Sequence, residues 1–448
     1  MLGLGVYISV ATGLLIAVCK HPAVAIAGML CMFGLEQWGQ ATTTFFSFYQ
    51  TATNYLIGGI LLLGLTLQFA RKGLGLVKGY PSVGWLILTL YFYAFVSTQW
   101  VSRPDITMAL WESRWAYLVT MLLLAPLLIF EEKDLYRASI ALIVMGGTLS
   151  FCLLFFVKWE ARRIVLDHGL GNPLAIAAMA GMVLLIALLA DPWPRSKLWQ
   201  PLRWALIAMC LIVIVKSGSR GQLVAVFLVS ALGWPITRGI SNFKQFALLG
   251  LAILFLAIVA SFTIQEFSGE QVQTYGGQAR WSEQSAQEDA MGRLHNALRL
   301  LGMAYSSPES IVFGLGNSSA YDPRILGIYP HFVPLEVLAE EGLVGFTLYI
   351  VVIIRVIKIF LRSIRLTSCG SPQRMLLGGW GAITLFNLLL SLKQGSLLLN
   401  LEPFMLAIIL GRYEDILRRQ AVEEPEEKKS EEVIDVHSRP RIILEAWH

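Results

Sequence analysis

An all-α, polytopic integral membrane protein with about twelve transmembrane helices and one long outward loop is the fold class that three features of this 448-residue sequence predict. Hydrophobic residues make up 56% of the chain and charged ones only 15%, where a soluble domain carries about 25% charge. The mean hydropathy is +0.63. Apolar runs such as GMVLLIALLA (181–190) are unbroken, whereas the strands of a membrane barrel alternate over ~10 residues. A run of ~20 apolar residues crosses the ~30 Å hydrocarbon core as a helix.

The spans follow in chain order. Runs 2–19 and 22–38 are parted only by Lys20, His21 and Pro22, and 53–70 stops at Arg71 and Lys72. Further runs cover 83–100, 114–130, 136–157, 170–190, the short 203–216, 221–237 and 244–264. After a polar gap come 333–360, 375–392 and 397–411. A hairpin in the first pair, or a re-entrant eighth run, brings the thirteen runs to twelve spans. The start has no charged region ahead of its apolar run, so no cleavable signal peptide is expected. The five cysteines lie in or beside apolar runs without metal-type spacing, which points to neither a zinc site nor a disulfide framework.

Orientation comes from the basic residues. One set of loops holds Lys20, Arg71, Lys72, Lys78, Lys133, Arg137, Arg195, Lys197, Arg203, Arg238, Lys244 and the cluster from Arg355 to Arg374, and the C-terminal tail adds more. The positive-inside rule places this side in the cytoplasm. The chain then divides into 1–265 with the first ten or so spans, an outward loop at 266–332, spans at 333–411 and a cytoplasmic tail at 412–448. The tail's charge run AVEEPEEKKSEE predicts disorder. The outward loop opens Gln-rich and continues as MGRLHNALRLLGMAY, where Leu294, Leu298, Leu301 and Tyr305 recur at helical spacing. FGLGNSSAYDPRILGIYPH (313–331) then reads as irregular backbone.

The outward face carries the chemistry. Its basic residues are Arg103, Arg114, Lys158, Arg162, Arg163, Lys216, Arg220, Arg280, Arg293, Arg299, Arg324 and Lys393, nine of them arginine. The guanidinium fork suits bidentate binding of phosphate oxygens, so a phosphorylated, membrane-delivered substrate is expected; snorkelling to headgroups or pairing with carboxylates is the alternative use of such residues. Arg220 sits in KSGSRGQ at the outward start of the ninth span, with Ser219 and Gly221 leaving backbone N–H groups for an anion. No GxxxxGK[ST] pattern makes this a nucleotide loop. His331 follows Tyr329 and Pro330 and opens the next helix at the membrane boundary, where a neutral imidazole can take a proton from a hydroxyl.

The order SGSRG, a long outward loop with GRLHNALRLL, FGLGN, then YPHFVPLEVLAEEGLVGF resembles the O-antigen ligase and O-antigen polymerase superfamily of bacterial envelope glycosyltransferases. The matching positions are Ser219, Arg220 and Gly221; Arg293; Gly314 and Gly316; His331; and Glu341 to Gly345, over roughly residues 160–411. The chain departs from the family pattern at His295 or Asn296, where an aromatic is common, and at Phe332. The resemblance implies a metal-independent, inverting, membrane-embedded C-type transferase that uses no cofactor. It would move an O-antigen glycan from undecaprenyl diphosphate to the lipid A core on the periplasmic side of the inner membrane. Membrane lipids are its other expected partners, and nucleic acid is not one. It assigns His331 to base catalysis, Arg220 and Arg293 to the diphosphate, and a supporting role to Arg162, Arg163, Ser219, Gly221, Arg299 and Lys393. A polymerase or a protein O-oligosaccharyltransferase of the same superfamily differs mainly in acceptor. A transporter or flippase would carry ionisable residues nearer mid-membrane; here they cluster at span ends.

Overall fold

The computed structural model describes residues 2–73, 75–160, 163–166, 169–193, 196–238, 250 and 283–438. The first half comprises α1 (Leu2–Lys20), α2 (Ala25–Thr42), α3 (Thr44–Phe48), α4 (Ala52–Lys72), α5 (Gly75–Lys78), α6 (Ser82–Ser97), α7 (Pro104–Leu118) and α8 (Glu132–Phe155). A small antiparallel ribbon follows, β1 (Trp159–Glu160), β2 (Arg163–Leu166) and β3 (Gly169–Leu170), then α9 (Pro173–Leu189), α10 (Trp199–Lys216) and α11 (Arg220–Arg238). The rest is α12 (Glu283–Ala304), α13 (Pro308–Phe313), α14 (Val333–Glu340), α15 (Gly342–Arg365), α16 (Pro372–Ser391) and α17 (Glu402–Ser438). Seven of these, α1, α4, α8, α10, α11, α15 and α16, are long and apolar enough to cross a membrane, and α9 is a shorter apolar helix. The protein is an all-α membrane protein.

α9 is the central post. It is apolar on every side, which marks a helix enclosed by others, and it packs against α8, α10, α11 and α16. Its start is set by Asn172, whose side chain accepts from the Leu174 amide at 3.0 Å, and by Pro173 in the first turn. α2 packs on α8 and α4 beside it. At one end of this post Asp191 accepts from Trp199 Nε1 (2.9 Å), Arg203 Nη1 (3.1 Å) and Arg238 Nη2 (2.8 Å), tying α9, α10 and α11 together where the sequence gathers basic residues.

Four expectations change. The run at 114–130 is not one regular helix: α7 ends at Leu118, and a wide turn (119–124) and a tight one (125–128) follow. Pro126 lacks the amide that would reach back to Leu122, and Tyr80 Oη donates to that carbonyl instead at 2.7 Å. The run at 333–360 is two helices, because the chain turns through Gly342 with φ +63. A Cβ on Gly342 would sit 2.6 Å from the Val312 carbonyl carbon, and one on Gly314 (φ +82) would sit 2.6 Å from the Glu341 nitrogen, so the two glycines let the α13 exit press on the α14–α15 junction. In α12 the expected apolar stripe is not the packed face: Leu294, Leu298 and Tyr305 are exposed, while Ala297, Leu300 and Ala304 are buried. Ala297 and Ala304 let α12 lie close to the loop that follows, with Leu300 packed between them and Leu301, the one member of the expected stripe to take part, at the edge of that cluster. The tail, expected to be disordered from 412, continues α17 as helix to Ser438; its composition is rich in Glu and Lys, which are good helix formers. The expected span at 244–264 and the loop at 266–282 lie almost wholly outside the described residues.

Candidate functional site

The site is built where α10 hands over to α11. Ser217, Gly218 and Ser219 are buried, which corrects the expectation of an accessible backbone there. The Ser219 hydroxyl lies 2.9 Å from Ser217 Oγ and donates to the Pro173 carbonyl at 3.4 Å, so this serine fastens the start of α11 to the start of α9. Arg220 and Gly221 are the first residues of the turn to reach partial exposure. Gly221 is a contact point: a Cβ there would fall 2.6 Å from Lys393 Nζ. Lys393 Nζ in turn donates to Gln222 Oε1 at 2.8 Å, and Gln222 Nε2 donates to Gln394 Oε1 at 3.0 Å. The connection between α16 and α17 is thereby held on the first turn of α11.

Arg293 joins this group from α12. Its Nη1 donates to the Lys393 carbonyl at 3.2 Å. Its charge also acts on Tyr329, whose phenol burial pushes up and Arg293 draws back down. The Tyr329 ring stands 4.2 Å from the His331 ring, centroid to centroid, and Tyr321 stands 6.2 Å from Tyr329 on the other side. Gly221, Lys393 and Arg293 are therefore joined by direct contacts, with Arg220 next to Gly221 in the chain, and the Arg293 charge reaches Tyr329, the ring that stands against His331. His331 itself has φ +63, a left-handed conformation that a residue with a Cβ rarely adopts. It precedes the α14 N-cap, Phe332, by one residue.

The remaining expected residues are placed differently. Arg163 lies in β2, paired with Glu160 of β1; the ribbon is fixed by Lys216 Nζ over the Trp159 ring at 5.4 Å and by the Asn172 amide on Gln37 Oε1 at 2.8 Å. Arg162 lies outside the described residues. Arg299 projects from another face of α12, where its Nη2 donates to the Arg324 carbonyl at 3.4 Å, away from Arg293.

Sequence reasoning missed the support behind His331. Glu336, Glu340 and Glu341 are each buried to 2% exposure or less, and burial pushes all three carboxyls up. Glu340 accepts from the Ser318 amide (2.6 Å) and the Ala320 amide (2.8 Å), Glu341 from Asn317 Nδ2 (2.8 Å), and Glu336 from the Leu397 amide (3.2 Å). Trp111 Nε1 completes Asn317 at 3.0 Å. These acids are buried and hold the surrounding loops in place. The signal for them is a double Glu at the end of a short helix that otherwise turns apolar residues inward.

A groove of about 930 Å³ runs between α8 and α10, lined by Ile143, Phe151, Phe155, Leu202, Leu206 and Ile212 among others. Its α10 wall leads up to Lys216 and the Arg220 turn. Among the described residues, no group of three or more His, Cys, Asp or Glu side chains could hold a metal ion. No protein-family model and no curated protein matches the chain.

Proposed function

We propose that the protein is a glycosyltransferase of the O-antigen ligase type, taking a glycan from undecaprenyl diphosphate to a lipid A core acceptor at the periplasmic side of a bacterial inner membrane. The seat of Lys393 on Gly221 beside Arg220, the bond from Arg293 to the Lys393 carbonyl, and the reach of the Arg293 charge to the tyrosine that stands against His331 support this reading. Three cations drawn from distant parts of the chain match the two negative phosphates of a leaving diphosphate. A single imidazole beside them matches the one proton that an attacking hydroxyl must lose. The groove between α8 and α10 offers a polyprenyl chain a lipid-side path toward Arg220. On this reading about twelve helices cross the membrane and the basic ends face the cytoplasm, as the loop charges require.

In the reaction the acceptor oxygen attacks the anomeric carbon from the face opposite the diphosphate, the C–O bond to the phosphate breaks, and its electron pair stays on the diphosphate. The acceptor's proton passes to His331. The arginines and Lys393 take up the charge that develops on the leaving group.

Purified protein in detergent, given polyprenyl-diphosphate glycan and acceptor, tests this without a second compartment, so transport cannot imitate it. His331→Ala should lower turnover by about 10² to 10⁴, the worth of a positioned general base, with donor affinity kept. Arg220→Ala and Arg293→Ala should weaken donor binding as well as turnover. Wild-type turnover in a well-folded His331→Ala protein refutes the assignment.

A further inference from the structure

A second groove, of about 880 Å³, opens beside the loop that carries His331 and has no place in the scheme above. One wall is the end of α6 with Tyr93 and Trp100; the other is α13 and its exit, with Phe313 and Leu315; Ser102, Asp322 and Arg324 line it as well. Its size falls within the ~300–1,000 Å³ of small-ligand sites. Trp100 is 41% exposed and Phe313 50%, and Tyr93 Oη is anchored to the Phe313 carbonyl at 3.3 Å, which sets the two walls at a fixed spacing.

Arg324, the cation that lines this groove, is already paired. Arg324 Nη2 donates to Asp322 Oδ2 at 2.7 Å, and Ser102 Oγ donates to the same oxygen at 2.8 Å. Those contacts hold the Asp322 carboxyl well below the usual carboxylate range. Glu309 adds a further negative charge at the rim, so the groove has no surplus cation and a phosphorylated ligand gains nothing there. An acyl chain would strip water from Arg324 and Glu309 and return no hydrogen bond, a cost of several kcal/mol by the usual penalty for burying unpaired polar groups, about 2–7 kcal/mol each. An uncharged polyhydroxyl ligand avoids both objections. Its hydroxyls replace that water, and the apolar C–H faces of its rings lie on aromatic rings. The groove also adjoins the reaction centre: Asp322 follows Tyr321, whose ring leads through Tyr329 to His331.

We infer that the groove between Trp100 and Phe313 is a subsite for uncharged sugar residues of the glycan being joined. This rests on the transferase reading for its role, but sugar binding is measurable without transfer. The subsite holds a neutral stretch of glycan a fixed distance from His331 and so favours chains with uncharged sugars at that position.

The test is saturation-transfer NMR on the full protein in lipid nanodiscs, since maltoside detergents carry a competing sugar. The probes are maltohexaose and isomaltohexaose, with an oligosialic acid of similar length as the charged counterpart. Saturable binding of at least one neutral oligomer, at least tenfold weaker binding of the acidic one, and at least a fivefold loss in Trp100→Leu are expected. Trp100→Leu keeps the groove apolar while removing the stacking face, and Trp100→Phe should recover most of the affinity; melting temperature checks that each variant is folded. Unchanged neutral binding in Trp100→Leu, or no saturable binding of either neutral oligomer, overturns the subsite. So does displacement by a short-chain fatty acid that itself binds in a Trp100-dependent way, since that makes the groove a lipid slot. Transfer activity reads the other hypothesis separately: neutral binding without any transfer keeps the subsite and removes the transferase, and transfer without binding does the reverse.

Discussion

Replacing Gly221 by alanine separates the site from the fold more cleanly than deleting a charged residue. Gly221 is the second residue of α11 and is not among the residues with positive φ, so alanine suits its backbone and adds helix propensity, by up to about 1 kcal/mol in a helix interior. The new Cβ, however, would stand 2.6 Å from Lys393 Nζ and 2.8 Å from Lys393 Cε. Lys393 Cδ would be nearer still, and carbon contacts settle at about 3.5–4.0 Å, so the lysine stem must swing away by more than an ångström. It then loses its 2.8 Å bond to Gln222 Oε1, while Gln222 keeps Gln394. A hydrogen bond to a charged group is worth about 1.5–3 kcal/mol. If that interaction fixes the ammonium where charge develops, transfer falls by about 10- to 100-fold at 1.36 kcal/mol per decade. Stability should fall by about 0.5–2 kcal/mol, since the gain in propensity offsets only part of the lost contact. The assay is kcat/KM for glycan transfer alongside thermal melting in the same detergent. Lys393→Ala in the Gly221→Ala background should cost little more, because both changes remove the same ammonium. Wild-type transfer by Gly221→Ala, or losses that simply multiply in the double variant, would refute the reasoning.

Three further outcomes are expected. Asp191→Ala should destabilise the protein by about 3–5 kcal/mol, as it strands the buried Arg203 and the partly buried Arg238; Asp191→Asn, which suits the φ of +44, should cost less, and denaturant melts read both. Glu341 lies at the α14–α15 junction, and burial pushes its carboxyl from 4.5 up to about 7. Because the folded state favours the protonated acid, its stabilising contribution is complete below pH 4.5 and is lost as pH rises through 7; Glu341→Gln should remove up to about 3 kcal/mol of that slope, measured as melting temperature against pH. Truncation after residue 421 should leave transfer intact, since the removed sequence is a charge run with no apolar face; a stable, inserted and inactive truncation would contradict this.

Much of the architecture was legible in the sequence because a spanning helix needs only length and apolarity, and both are local. Arg220 at a helix start, the helix in the long loop and the irregular stretch after Gly314 could be read in the same way. The face on which α12 packs could not, because periodicity shows that Leu294, Leu298 and Tyr305 share a side without showing whether anything covers it. Nor could the split at Gly342, since the apolar pattern runs through the break and only the approach of Gly314, 28 positions earlier, demands it. The bond between Gln222 and Lys393 spans 171 positions, and each residue taken alone is an ordinary polar side chain at a helix end. Lys393 was legible as a cation at a span end, but its seat on Gly221 was not.

The clasp at the base of the His331 loop bears on how such a protein changes over time. Leu315 N donates to the Ala339 carbonyl at 3.0 Å and Gly316 N to the Glu340 carbonyl at 2.8 Å, so the two ends of the segment between them meet in a short neck. Once a loop is pinned at its neck, each doubling of its length costs only about 0.6 kcal/mol. Extra residues at the exposed end of the tip, around Gly327 and Ile328, are therefore tolerated while the neck and the α14 start stay where they are, whereas Ile325 is held in a small buried cluster. The neck thus separates two kinds of position in one loop: those that hold the α14 start in place, and those that can alter the outer surface without moving it.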